Sequence, residues 1–162
     1  FMVNGKVLFT PMKTFRYSIT WNDINGVGAI FGDSSPADNL SYGGVNFKCR
    51  VMTMKVGAEW GKTILSVHEH ADDGGWDFSE DVDSANVADW TSYTPSGTGF
   101  NDDDLLTDDS YGNGSYSWGQ ESVSSDRVMR GFSGASHLDG YPPNYGDSST
   151  GWRPVLEVVE QP

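Results

Sequence analysis

Around the dipeptide Pro142-Pro143 the chain sets His137, Asp139, Tyr141, Asn144 and Tyr145 close together in sequence. That puts two rings, an imidazole, a carboxylate and an amide beside a conformationally stiff pair. Stiffness lowers the ordering cost of binding. Tyrosine beside small polar groups combines rigid contact area with directional hydrogen bonds. The chemistry is therefore recognition, and the nearly neutral stretch 133–150 is the expected ligand face, with Trp90 and Tyr93 as neighbours. Of the other loop aromatics, Trp76, Trp90, Trp118 and Trp152 are expected inside, and Tyr141 and Tyr145 exposed.

A second candidate chemistry is cation binding. Asp81, Asp83, Asp102, Asp103 and Asp104 offer the hard oxygen ligands that Ca²⁺ prefers. An EF-hand loop counted from Asp77 would need Gly and Glu where Val82 and Ala88 stand, so that motif fails. A solvated acidic face is the plainer reading, with one Ca²⁺ as the alternative and no other cofactor implied. His68 and His70 are two apart, which puts them on different faces of a helix and argues against a zinc pair. No phosphate-binding glycine loop or nucleophile elbow is present, and no carboxylate pair is singled out for glycoside hydrolysis. The expectation is a non-enzymatic protein, with a polysaccharide-degrading enzyme as the weakest reading.

Composition bounds the partners. The 162 residues carry 10 Lys and Arg against 23 Asp and Glu, a net charge of -13. Nucleic-acid backbones and anionic membrane surfaces are held by clustered basic residues, so neither is an expected partner. No apolar run reaches the length of a bilayer span, so membrane insertion is not expected either. Six Trp, seven Tyr and eight Phe supply enough ring area to build a core. The one cysteine, Cys49, alternates with Val45, Phe47 and Val51 and reads as a small buried strand residue.

The positioning elements follow from periodicity. Residues 1–44 read as N-terminal strands around Asn4-Gly5, a first helix starting after Thr20 with Asn22 or Asp23 as its cap, and a polar loop from Asp33 to Gly44. From 45 to 162 a core follows: a strand at 45–53, a second helix at 58–68 with Trp60 on its apolar side, and strands at 115–118, 126–132 and 152–159. Long loops at 71–116 and 133–150 interrupt it. Val155, Leu156, Val158 and Val159 are apolar on both faces, as a central strand requires. The fold class expected is α+β: a small twisted antiparallel sheet, two helices, and long loops pinned by aromatic side chains. The length suits one domain, read as the C-terminal module of a longer chain.

Three segments in order carry a resemblance: Phe47 to Met52 with Ala58 to Ile64, Asp126-Arg127-Val128-Met129-Arg130-Gly131-Phe132-Ser133, and Gly151-Trp152-Arg153-Pro154-Val155-Leu156-Glu157. They resemble bacterial and phage-encoded surface domains. The last two also resemble the closing motifs of the formylglycine-generating-enzyme branch of C-type-lectin-like folds, which includes phage tropism proteins. Phe132 stands where that motif has a second glycine, and the paired cysteines of the oxidase members are missing, so the oxidase activity is not carried over.

The resemblance implies a C-type-lectin-like domain on a virion or bacterial cell surface, in a tail fibre or head-surface protein. It would bind a host glycan or protein receptor and neighbour other virion subunits, and a homo-oligomer is compatible with that setting. The alternative is a structural decoration module making only protein–protein contacts. Arg130 and Arg153, beside apolar strand residues, are expected to tie strands together through carbonyls or carboxylates, and Trp152 to be structural with them.

Overall fold

The computed structural model describes residues 2–3, 5–11, 13–54, 59, 116–131 and 138–159. At the N-terminus, β1 (Met2–Val3) and β2 (Lys6–Phe9) pair antiparallel with Val3 opposite Lys6. Gly5 takes φ 78° in the turn between them, a left-handed value natural to glycine. A short β3 (Arg16–Tyr17) leads into α1 (Trp21–Gly26). The helix cap is Thr20, not Asn22 or Asp23. Its hydroxyl oxygen accepts the Asp23 backbone N–H at 3.0 Å, and the Asp23 carboxylate accepts the Thr20 N–H at 3.0 Å. Asp23 is thus the far half of a capping box. Trp21 and Ile24, three residues apart on one side of α1, are buried.

Residues 33–44, read as loop, contain β4 (Leu40–Tyr42), which pairs with β5 (Val45–Arg50) across Gly43-Gly44. Both glycines have positive φ, 60° and 79°, as a two-residue hairpin turn demands. Later in the chain come β6 (Tyr116–Val123), β7 (Asp126–Arg130), β8 (Leu138–Tyr141), β9 (Thr150–Trp152) and β10 (Val155–Val159). They build two five-stranded sheets, ordered β1-β2-β10-β5-β4 and β3-β9-β6-β7-β8. All pairs are antiparallel except β6 with β9. β10 lies in the middle of its sheet, as its two apolar faces predict.

The α+β expectation, a small sheet with two helices, is overturned. The described residues form a β-rich fold with one six-residue helix and two sheets. The strands that sequence periodicity did not show are only two to four residues long (β3, β4, β8, β9), too short to leave a period-two signature. The expected helix at 58–68 lies outside the described residues apart from Glu59, as do Trp60 and the loop at 71–115.

Between the sheets runs the buried, non-strand segment Val51–Met54. Gln120 Nε2 donates to the Val51 carbonyl at 2.9 Å, and the Met54 N–H reaches both Glu121 carboxylate oxygens at 2.9 Å. Arg130, 3% exposed, donates from Nε to the Met54 carbonyl at 3.1 Å, tying β7 to this non-strand segment. Arg153 is equally deep, and burial draws its guanidinium down to about 10. The core around α1 contains Ile19, Trp21, Ile24, Ile30, Val51 and Trp118. Cys49 is buried against it, and burial pushes its thiol up. Trp118 is fully buried, whereas Trp152 is only partly so.

Candidate functional site

β8 delivers Asp139 and Tyr141 to the edge of the second sheet, where the strand pairs with β7. The chain then turns at Pro142-Pro143. The Tyr145 N–H donates to the Pro142 carbonyl at 2.8 Å, folding Tyr145 back over Tyr141. The two rings stack with centroids 4.4 Å apart and 24° between planes. Tyr116 of β6 meets Tyr141 edge-on at 5.9 Å. Three tyrosines from three segments thus form one continuous aromatic step, set against the core on one side.

Two carboxylates fix the hydroxyls. Tyr116 donates its O–H to Asp139 Oδ2 at 2.9 Å, and Tyr145 donates to Asp147 Oδ2. Asp139 Oδ1 also accepts the Gly140 N–H at 2.8 Å. Burial, then the hydrogen bond to Asp139, pushes the Tyr116 phenol far above its ordinary value. The bond to Asp147, then burial, raises Tyr145 to about 12. Burial and the Asp139 charge raise Tyr141. Burial alone would push the Asp147 carboxyl up, but hydrogen bonds from Ser149, Tyr145 and Thr150 outweigh it and hold it below the usual range. The hydroxyls are therefore neutral donors and Asp147 is an ionised acceptor at neutral pH. A carboxylate whose pKa is lowered is poorly suited to general-acid work, while Oδ2, which accepts only the Tyr145 hydroxyl, keeps a lone pair for a further donor.

The loop is braced at both ends. Asp147 Oδ1 accepts the N–H of Ser149 at 2.8 Å and its hydroxyl at 2.6 Å, a side-chain turn of the kind aspartate favours. Thr150 Oγ1 donates to the Ile19 carbonyl at 3.1 Å, and the Asn22 N–H donates to the Pro143 carbonyl at 3.0 Å. Gly146 lies so close to the cap of α1 that a Cβ there would meet Thr20 Cγ2 at 2.8 Å.

Of the residues expected to bind, Tyr141, Tyr145 and Asp139 come together, and Asn144 is exposed at the tip of the turn. Tyr141 and Tyr145 are half-buried rather than free, because each covers the other and both lean on the core. His137, Trp90 and Tyr93 lie outside the described residues, as do the candidate calcium ligands Asp81, Asp83, Asp102, Asp103 and Asp104. Among the described residues there is no group of three metal-ligating side chains. Tyr116, another of the candidate binding aromatics read from the sequence, reaches the site from a distant strand, whereas sequence reasoning missed Asp147. The local run Asp147-Ser148-Ser149-Thr150, rich in side chains that bond to their own backbone, was the available signal for Asp147.

Compared with protein-family models, with curated proteins and with solved structures, the chain matches none.

Proposed function

We propose that this protein is a non-catalytic recognition module that binds a host cell-surface glycan on the Tyr141–Tyr145 step. The observation that carries the reading is the stacked pair itself, held rigid with ionised Asp147 and exposed Asn144 at its rim. Ring faces suit the C–H faces of a sugar, and fixed carboxylate and amide groups suit its hydroxyls. The place of action, a virion or bacterial cell surface, rests on the resemblance of the RVMRG and GWRPVLE segments alone. A purely structural module is the second reading, favoured by the exposed apolar Phe9 and Phe15 rings elsewhere on the molecule.

A glycan array and whole-cell binding with the 162-residue chain test the proposal. Asn144→Trp adds bulk at an exposed position beside the rings and should cut binding at least tenfold while the melting temperature holds. Tyr145→Ala should lose a similar amount of binding and also some thermal stability, since the ring braces the loop. Absence of binding to any host-derived surface, or binding that survives both substitutions, overturns the reading.

A further inference from the structure

Strand register gathers an uncharged surface on one face of the first sheet. Leu156 stands opposite Phe9 on one side and Cys49 on the other, and Val158 stands opposite Phe47. Across the next pair, Leu40 stands opposite Phe47 and Tyr42 opposite Val45. Directly paired residues share a face, so these eight side chains form one apolar sheet surface. The core covers its Cys49 end. Beyond that Phe9 remains 55% exposed, Leu40 38%, Val45 39% and Tyr42 84%. Next to Cys49 the face opens into an apolar cleft of about 380 Å³ lined by Phe9, Pro11, Phe15, Trp152, Pro154 and Leu156. Phe15, 74% exposed, is edge-on to Trp152, and Phe9 is edge-on to Phe47.

We propose that this face is the contact between two copies of this chain, packed sheet against sheet about a twofold axis. Area supports it. Phe9, Phe15 and Tyr42 alone leave on the order of 400 Å² of ring surface in water. The aliphatic residues and Phe47 extend that toward the roughly 800 Å² per partner of a stable interface. Charge restricts where a second copy can dock. Two bodies of net charge -13 repel, and they meet at least cost on a face whose described strand residues carry no carboxylate, as these eight do not. Shape agrees. The cleft lies on the β2–β10 side and Tyr42 on the opposite edge strand, β4, two strands from β10. A twofold axis therefore carries each Tyr42 ring toward the partner's cleft, as a self-complementary contact requires.

Sedimentation of the 162-residue chain over about 1 to 200 µM tests this, beside the double variant Phe9→Glu with Tyr42→Glu. The unmodified chain should pass from monomer to dimer within the range, and the variant should stay monomeric with its melting temperature nearly unchanged. If Phe9→Glu disturbs folding, Tyr42→Glu alone at the hairpin end carries the test. At least tenfold weaker association supports the interface, and unchanged association overturns it. A chain that is monomeric throughout, or a folded double variant that still dimerises, also overturns it.

Discussion

Arg50 shows what one side chain holds together. It is 4% exposed, and donates from Nε to Glu157 at 2.7 Å, from Nη1 to Glu59 at 2.6 Å, and from Nη2 to the other Glu59 oxygen. Lys6 closes the far side of Glu157 at 2.9 Å. Burial alone would raise both carboxyls. The Arg50 bonds with the Thr53 N–H at Glu59, and the Lys6 and Arg50 bonds at Glu157, bring them below the ordinary 4.5. In acid the unfolded chain therefore takes up these protons first. The stabilisation is complete above about pH 5 and is lost as pH falls through the lowered folded values. Arg50→Met keeps the volume and removes the guanidinium that bridges Glu59 and Glu157. A loss of about 3 kcal/mol at pH 7 is expected. The acid response should also flatten. Without the Arg50 bonds both carboxyls move back up from their lowered folded values, so the variant loses less stability than the unmodified chain as pH falls below about 5. Urea melts at several pH values check both slopes.

Between residue and fold stand the short elements, and α1 is the one whose start depends on a single hydroxyl. Six residues cannot sustain a helix by propensity. Its capping box and the burial of Trp21 and Ile24 must do so. Thr20→Ala removes the hydroxyl that accepts the Asp23 N–H, and should cost about 1 kcal/mol in a urea melt. Thr20→Ser, which keeps the hydroxyl, should cost less, and equal losses would place the effect in packing against Gly146 instead. The helix was legible in the sequence, but its cap was placed two or three residues late, because Asn22 and Asp23 are equally good capping types. Central β10 was legible because both its faces are apolar. β3, β4 and β8 were not, since two to four residues are too short for a period-two pattern. β3 forms because β9, far along the chain, supplies its hydrogen bonds, and β4 because the Gly43-Gly44 turn folds it onto β5. The site divides the same way. Tyr141, Tyr145 and Asp139 announce themselves beside Pro142-Pro143, whereas Tyr116 joins them through pairing of β6 with β9 and β7. Arg50 sits on the polar phase of its strand, and nothing local reveals that Glu157, 107 residues away, folds onto it.

For the whole molecule, two surfaces of opposite character lie on different sheets. The tyrosine step with its carboxylates belongs to the second sheet, and the uncharged face belongs to the first. A twofold contact through the first sheet does not use the residues of the tyrosine step, so one assembly would carry two such steps. Two copies raise apparent affinity for a repetitive surface without any new contact, provided both can engage at once. The driving force of that contact fixes its response to salt. Each copy carries -13, and at about 10 mM ionic strength the screening length is roughly 30 Å, so two copies in contact feel most of each other's field. At about 0.5 M that length falls to a few ångströms, and burial of Phe9, Phe15 and Tyr42 acts almost unopposed. Self-association should therefore tighten several-fold when NaCl rises from about 10 mM to 0.5 M. A contact built on ion pairs would loosen over the same range. Sedimentation at the two salt concentrations distinguishes them. Dissociation at high salt would assign any dimer to charged residues and away from the β2–β10–β5–β4 face.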